Sequence, residues 1–175
     1  MSRSVTPCGG DQLPQAVVVS GAGTAHANGV YKMTGGEYCD APVYEHMDFG
    51  ASLKITREPH RSPKTGVVKH GWVIGFEKAP LYGAPTEALV VPEGGWRRFS
   101  GVEPLPAVRA HPDVSDLLLE LADDARAAGD ASAEREDWAA AASSFTQGVA
   151  ALRRLDDQAS DAFRDRAGLL LSRRA

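Results

Sequence analysis

Apolar and polar residues alternate over short runs through the first hundred positions. Leu53-Lys54-Ile55-Thr56 has the period of a strand with one wet face, and Val17-Val18-Val19 is the β-branched run of a more buried one. Further runs lie at Gly29-Val30-Tyr31-Lys32-Met33, Pro42-Val43-Tyr44-Glu45-His46, Val67-Val68, Trp72-Val73-Ile74-Gly75-Phe76, Leu81-Tyr82, Leu89-Val90-Val91 and Trp96-Arg97-Arg98-Phe99. Turn residues separate them: Gly21-Ala22-Gly23, Gly35-Gly36, and Pro85. Short strands at this spacing predict a sandwich or a partly open barrel. Glu58 to Thr65, with two prolines among polar neighbours, reads as an exposed loop, and Gly101 to Pro112, with three more, as a stiff linker.

After Pro112 the period changes to that of helices. Asp113 or Ser115 caps a first helix carrying Leu117, Leu118, Leu121 and Ala125 at helical spacing. A second is expected from about Glu134 to Arg153, with Trp138, Ala141, Ala142, Phe145, Val149 and Leu152 on one stripe. A third is expected from about Gln158 to Arg173, with Ala162, Phe163, Arg166, Ala167, Leu170 and Leu171. Three helices, each apolar on one side, can bury a common core. The fold class expected is therefore α+β, an N-terminal all-β sandwich or partly open barrel followed by a three-helix unit. The expected divisions are a tail at 1–16, a β domain at 17–100, the linker at 101–112 and the helical unit at 113–175.

Composition sharpens this division. All 11 prolines lie at or before Pro112, and all the lysines precede it. Residues 113–175 carry 13 acids against 8 arginines, whereas 1–112 are almost balanced. The net charge of -4 over 175 residues argues against nucleic acid as a partner, since such proteins present a basic face. No apolar run approaches the roughly 18 residues that span a bilayer, and Met1 to Gln15 lacks the apolar segment of a secretory signal. Cys8 and Cys39 make no disulfide framework, although one bridge between them is possible. A cytoplasmic protein that does not insert into membranes is the expectation.

The helical segment resembles a tetratricopeptide repeat. The residues that carry the resemblance are Gly129-Asp130, Trp138, Ala141, Phe145, Gly148 and Asp165-Arg166-Ala167, over Ala122 to Leu171. Counting from Gly129, Ala141, Phe145 and Gly148 fall on the family's small, aromatic and small packing positions. The resemblance covers one and a half repeats where the family stacks at least three. A three-helix trafficking module of the microtubule-interacting kind fits the same pattern. The repeat resemblance implies a docking groove lined by Arg126, Asp130, Ala133, Asp165 and Arg166. Members that clamp a peptide carboxylate use Asn where this chain has Asp130 and Asp165, and those acids would repel such a ligand. The β half resembles a small domain that recurs in large protist proteins, through Asn28-Gly29-Val30-Tyr31, Pro42-Val43-Tyr44, Trp72-Val73-Ile74-Gly75, Tyr82 and Pro92-Glu93-Gly94-Gly95-Trp96. That resemblance implies architecture and no reaction.

Candidate chemistry is sparse. Ser20-Gly21-Ala22-Gly23 follows a valine run as a dinucleotide loop does, but the fingerprint needs a helix directly afterwards, and Asn28-Gly29 is a turn instead. His26, His46, His60, His70 and His111 show no metal-ligand spacing, so neither a metal site nor a cofactor is expected. Cys39 stands beside Asp40, which opposes thiolate formation. Trp72, Trp96, Arg97 and Arg98 form either a ligand platform or core aromatics with exposed arginines. The expected function is a non-enzymatic adaptor or scaffold whose helices dock a partner peptide or helix. The alternatives are a structural subunit or assembly factor of a larger complex, and a carbohydrate- or small-ligand-binding module on the β half.

Overall fold

The computed structural model describes residues 13–61 and 65–172. The chain divides into two compact units, Met1–Asp113 and Val114–Ala175. Cys8, most of the 1–16 tail and residues 62–64 of the expected loop lie outside the described residues.

The first unit is a single antiparallel sheet. Its strands are β1 (Ala16–Ser20), β2 (Gly29–Tyr38), β3 (Ala41–His46), β4 (Gly50–Arg61), β5 (Val68–Phe76), β6 (Ala79–Ala84), β7 (Arg97–Arg98) and β8 (Ala107–His111). The order is β7-β6-β5-β4-β3-β2-β1-β8, so neighbours in sequence are neighbours in the sheet until β8 returns to pair with β1, Ala16 opposite His111 and Ser20 opposite Ala107. The sheet curls into a half-barrel. Alternation decides the faces: Val17 and Val19 on β1, Tyr44 and His46 on β3, Leu53, Ile55 and Arg57 on β4, and Trp72 and Ile74 on β5 are all buried.

This corrects the expected fold class. One eight-stranded half-barrel stands in place of the sandwich or partly open barrel, and two helices stand in place of three. Strand pairing is a long-range property that alternation alone does not determine. Leu89-Val90-Val91 forms no strand, and β4 runs on to Arg61 through the segment read as a loop. Residues 107–111, read as linker, form β8. They are a proline-free pentapeptide between Pro106 and Pro112, with Val108 buried between exposed neighbours.

Several segments between the strands are held by the polar tips of buried aromatics. Tyr31 donates to the Ala27 carbonyl (2.8 Å) and Tyr44 to the Pro14 carbonyl (3.0 Å). Trp72 Nε1 donates to the Ala88 carbonyl and Trp96 Nε1 to the Pro92 carbonyl, both at 3.0 Å. The Tyr82 hydroxyl accepts from the Thr24 amide (3.0 Å) and donates to the Val102 carbonyl (2.6 Å), while the Val102 amide donates to Thr24 Oγ1 (2.8 Å). A large ring thus fills the core while its N–H or O–H meets a loop carbonyl that would otherwise be buried without a partner. Burial pushes both phenols up: Tyr44 to about 12, and Tyr31 well above its ordinary value.

The second unit is a helical hairpin, α1 (Val114–Glu134) and α2 (Trp138–Ser172). The expected second and third helices are one continuous helix. Nothing between Arg153 and Gln158 breaks it: Leu155-Asp156-Asp157 contains neither proline nor glycine, and aspartate in a helix interior costs only about 0.7 kcal/mol against alanine. No described helix is long and apolar enough to cross a membrane.

Candidate interaction surface

The turn of the hairpin is built by local hydrogen bonds. The Arg135 and Asp137 amides donate to the Ser132 carbonyl, and the Glu136 amide donates to that of Ala133. Glu136 takes a positive φ of 60°, which lets the chain reverse within three residues. Asp137 then caps α2, its Oδ1 accepting from the Ala140 amide at 3.1 Å.

Small residues bring the helices together. A Cβ on Gly129 would strike the Phe145 ring at 2.6 Å, and one on Gly148 would meet the Ala122 carbonyl and Ala125 Cβ at 3.4 Å. Ala141 and Ala151 are buried on the same side of α2. This seam uses Gly129, Gly148 and alanines, with the Phe145 ring against Gly129, so much of the large apolar surface of α2 is left on an adjacent strip. Trp138 remains 67% exposed, Phe145 40%, Val149 49% and Leu152 48%. At 100° per residue these four positions fall within about 60° of one another around the helix. The stripe that the sequence predicts for a three-helix core is real, but the helix expected to cover it continues α2 instead of folding back.

The same continuation separates the expected groove residues. Arg126, Asp130 and Ala133 share one face of α1; Arg126 and Asp130 are exposed, and Arg126 pairs with Asp123 at 3.4 Å. Gly129 opposite Phe145, and Ala122 and Ala125 opposite Gly148, set the antiparallel register. In that register Asp165 and Arg166 lie roughly 25–30 Å further along α2 than the point facing Arg126, so the five do not share a groove. The side chains of Asp165 and Arg166 lie outside the described residues.

On the β unit, Trp72 and Trp96 are buried and both indole N–H groups are engaged, so neither ring offers a stacking face to a ligand. Arg97 and Arg98 are exposed on β7. The Gly21–Gly23 turn also has a structural use. Asn28 bonds both the amide and the carbonyl of Ala22, and the Gly23 amide donates to the Pro104 carbonyl, where a Cβ would collide with the Glu103 backbone.

The titratable residues are dispersed. His46 is buried; its Nδ1 accepts from the Asp48 amide and its Nε2 faces the Asn28 carbonyl, both at 3.0 Å, which fits the neutral ring protonated on Nε2. Gly29, at a φ of 147°, leaves room for that ring. His26 packs on Phe76 and Phe49. Cys39 sits in the β2–β3 turn at a φ of 51°, at the far end of β3 from His46, so Cys39 and His46 do not meet. Among the described residues no group of three or more His, Cys, Asp or Glu could hold a metal ion.

Among the described residues, the one buried guanidinium, that of Arg57, belongs to the same end as Cys39. Arg57 donates to the Cys39 carbonyl (2.7 Å), to the Glu87 carbonyl (3.2 Å) and to Glu87 Oε2 (3.3 Å). The Glu87 carboxylate also accepts from the His70 amide at 3.0 Å and faces His70 Nδ1. The His70 amide bond is the main cause that holds its carboxyl below the usual range, with the His70 ring and Arg57 adding to it. This cluster clasps the loop after β6 against the sheet, a structural role that sequence alone does not signal.

Comparison with protein-family models, curated proteins and solved structures finds no match.

Proposed function

We propose that this chain is a non-enzymatic protein-interaction adaptor or scaffold whose helical hairpin docks an α-helix of its partner. The observation that carries the reading is the strip formed by Trp138, Phe145, Val149 and Leu152. It is apolar, runs for four turns of one helix and is open to solvent. An amphipathic helix laid along such a strip buries its own apolar face by the ordinary helix-in-groove mode. Clustered exposed aromatics and aliphatics of this kind mark interaction sites more often than they occur by chance on a monomer surface.

The reading moves the docking face from the expected groove to α2. Arg126 and Asp130 lie off the strip on α1 and serve at most as a polar rim. The test is a quantitative pull-down with the full chain and with the variant Trp138→Ser/Val149→Lys. The expected result is loss of the bound partners at unchanged thermal unfolding. If every partner is retained by the folded variant, the strip is not the docking face.

A further inference from the structure

Asn28 is the one asparagine in the chain, and a glycine follows it. The side-chain amide of an asparagine is open to attack by the next backbone nitrogen, and a glycine, having no Cβ, leaves that nitrogen unshielded. The fold nevertheless requires both residues. Gly29 takes a φ of 147°, and a Cβ on it would strike the His46 ring. Asn28 must donate and accept at once: Oδ1 accepts from the Ala22 amide (2.8 Å), and Nδ2 donates to the carbonyls of Ala22 (2.9 Å) and Ala25 (3.2 Å). We propose that Asn28 is a deamidation site that the native connection between β1 and β2 keeps closed, and that opening of this connection converts it to a form that cannot rebuild it. This site is independent of the docking face on α2.

The reaction is intramolecular and its only co-reactant is water. The Gly29 nitrogen gives up its proton and bonds to Asn28 Cγ. The Cγ–Nδ2 bond breaks and the amide nitrogen leaves as ammonia. Water then opens the cyclic imide at either carbonyl. One product is aspartate at this position; the other is isoaspartate, in which the main chain runs through the side-chain carbon.

The native geometry holds the reacting atoms apart. Asn28 has a φ of -77° and a ψ of 139°, which turns the Gly29 nitrogen away from the side chain. Ring closure needs that nitrogen to swing round to the Cβ side, in line with Cγ. The surroundings oppose the rotation. The Asn28 amide donates to the Ala25 carbonyl at 3.1 Å, the Asn28 carbonyl accepts from His46 Nε2 at 3.0 Å, and Gly29 lies opposite Val19 in the sheet. The side-chain amide is pinned by its own three bonds.

Neither product fits the native connection. Aspartate keeps the acceptor for the Ala22 amide but turns a charged oxygen towards the Ala22 and Ala25 carbonyls, where a donor is required. Isoaspartate lengthens the main chain just ahead of β2 and moves Gly29 from its place opposite Val19. The damage spreads, because the segment between Ala22 and Asn28 carries Thr24, whose amide and hydroxyl meet Tyr82 and Val102. The working life of the β unit is therefore set by how often this connection opens, which is a rate and not an equilibrium.

The test is prolonged incubation of the full chain in neutral buffer, with and without denaturing urea, followed by peptide mass mapping and an isoaspartate assay. In urea both products are expected at position 28; in native buffer they are expected to form more slowly by about tenfold or more. Gly29→Ala is compared in urea only, where the clash with His46 is absent, and is expected to slow the reaction several-fold. Samples taken from urea at intervals are then refolded by dilution. The fraction that regains the native unfolding midpoint is expected to fall in step with the modified fraction. Asn28→Asp is expected to unfold at a lower temperature than the native chain, or to fail to fold.

Equal rates in native buffer and in urea overturn the protection by the fold. An undiminished rate for Gly29→Ala in urea overturns the Gly29 nitrogen as the attacking group. Modified chain that refolds to the native midpoint, or Asn28→Asp with an unchanged midpoint, overturns the claim that the products cannot rebuild the connection.

Discussion

The two units handle large side chains in opposite ways. In the half-barrel, Tyr31, Tyr44, Trp72, Tyr82 and Trp96 are buried, and each hands its one polar group to a loop. In the hairpin, glycine and alanine make most of the seam; Phe145 packs on Gly129 with part of its ring exposed, and Trp138, Val149 and Leu152 stand outside it. The first arrangement uses aromatic area to fold the chain. The second folds with small residues and leaves much of its aromatic area exposed. Residue type alone therefore does not separate a core tryptophan from an exposed one; the difference lies in whether another element covers it.

The largest contrast is between two tryptophans. Trp72→Ala is expected to cost about 3–5 kcal/mol, because it leaves a cavity and strands the Ala88 carbonyl. Trp138→Ala is expected to stay within about 0.5 kcal/mol. Urea unfolding of the two variants reads both numbers, and equal losses would break the comparison.

The buried phenols predict the alkaline limit. An unfolded tyrosine ionises near pH 10, whereas folded Tyr44 keeps its proton to about 12. Its contribution is complete below pH 10 and is lost as pH rises towards 12, by up to about 1.4 kcal/mol per pH unit. Tyr31 is shifted in the same direction and adds to the loss. Tyr44→Phe is expected to be less stable at pH 7, through the lost bond to Pro14, and to show a shallower fall in stability above pH 10.

The hairpin seam makes a smaller effect with a sign change. Gly129→Ala gains about 1 kcal/mol of helix propensity but drives a methyl into the Phe145 ring. A net loss of about 1 kcal/mol is expected in the native background, and a gain of similar size when Phe145 is also alanine. Calorimetry on the four members of that cycle measures the coupling.

The smallest effect is on the acid side. The Glu87 carboxyl is held low by His70 and Arg57, so its contribution is present above the ordinary glutamate range and is lost as pH falls through its depressed value. Glu87 is largely exposed. Glu87→Gln is therefore expected to trim the acid slope of stability slightly and leave the alkaline slope unchanged.

Much of the strand pattern is legible in the sequence, because alternation at Leu53–Thr56 or Trp72–Phe76 is a local consequence of having one dry face. Pairing order is not local, so nothing in the chain read by itself separates two packed sheets from one curled meander. β8 is masked by the prolines on either side of it, although Val108 between two exposed residues is a faint strand signal. The error of one helix too many has a single source. Leu155-Asp156-Asp157 looks like a loop by polarity but contains no residue that stops a helix. The candidate site was half visible as a result: the stripe on α2 is plain in the spacing of Trp138, Phe145, Val149 and Leu152, and its exposure is not. The Arg57–Glu87–His70 clasp joins residues 30 and 17 apart, and no short motif announces it.

The return of β8 to β1 also orders events in time. Ala16 finds its partner only at His111, so the sheet lacks its last pairing until that residue has been synthesised. At roughly 5–20 residues per second, β1 waits several seconds with its outer row of amides and carbonyls unpaired. The hairpin that follows is built from local contacts and forms far faster once it emerges. On the ribosome, the slow unit precedes the fast one.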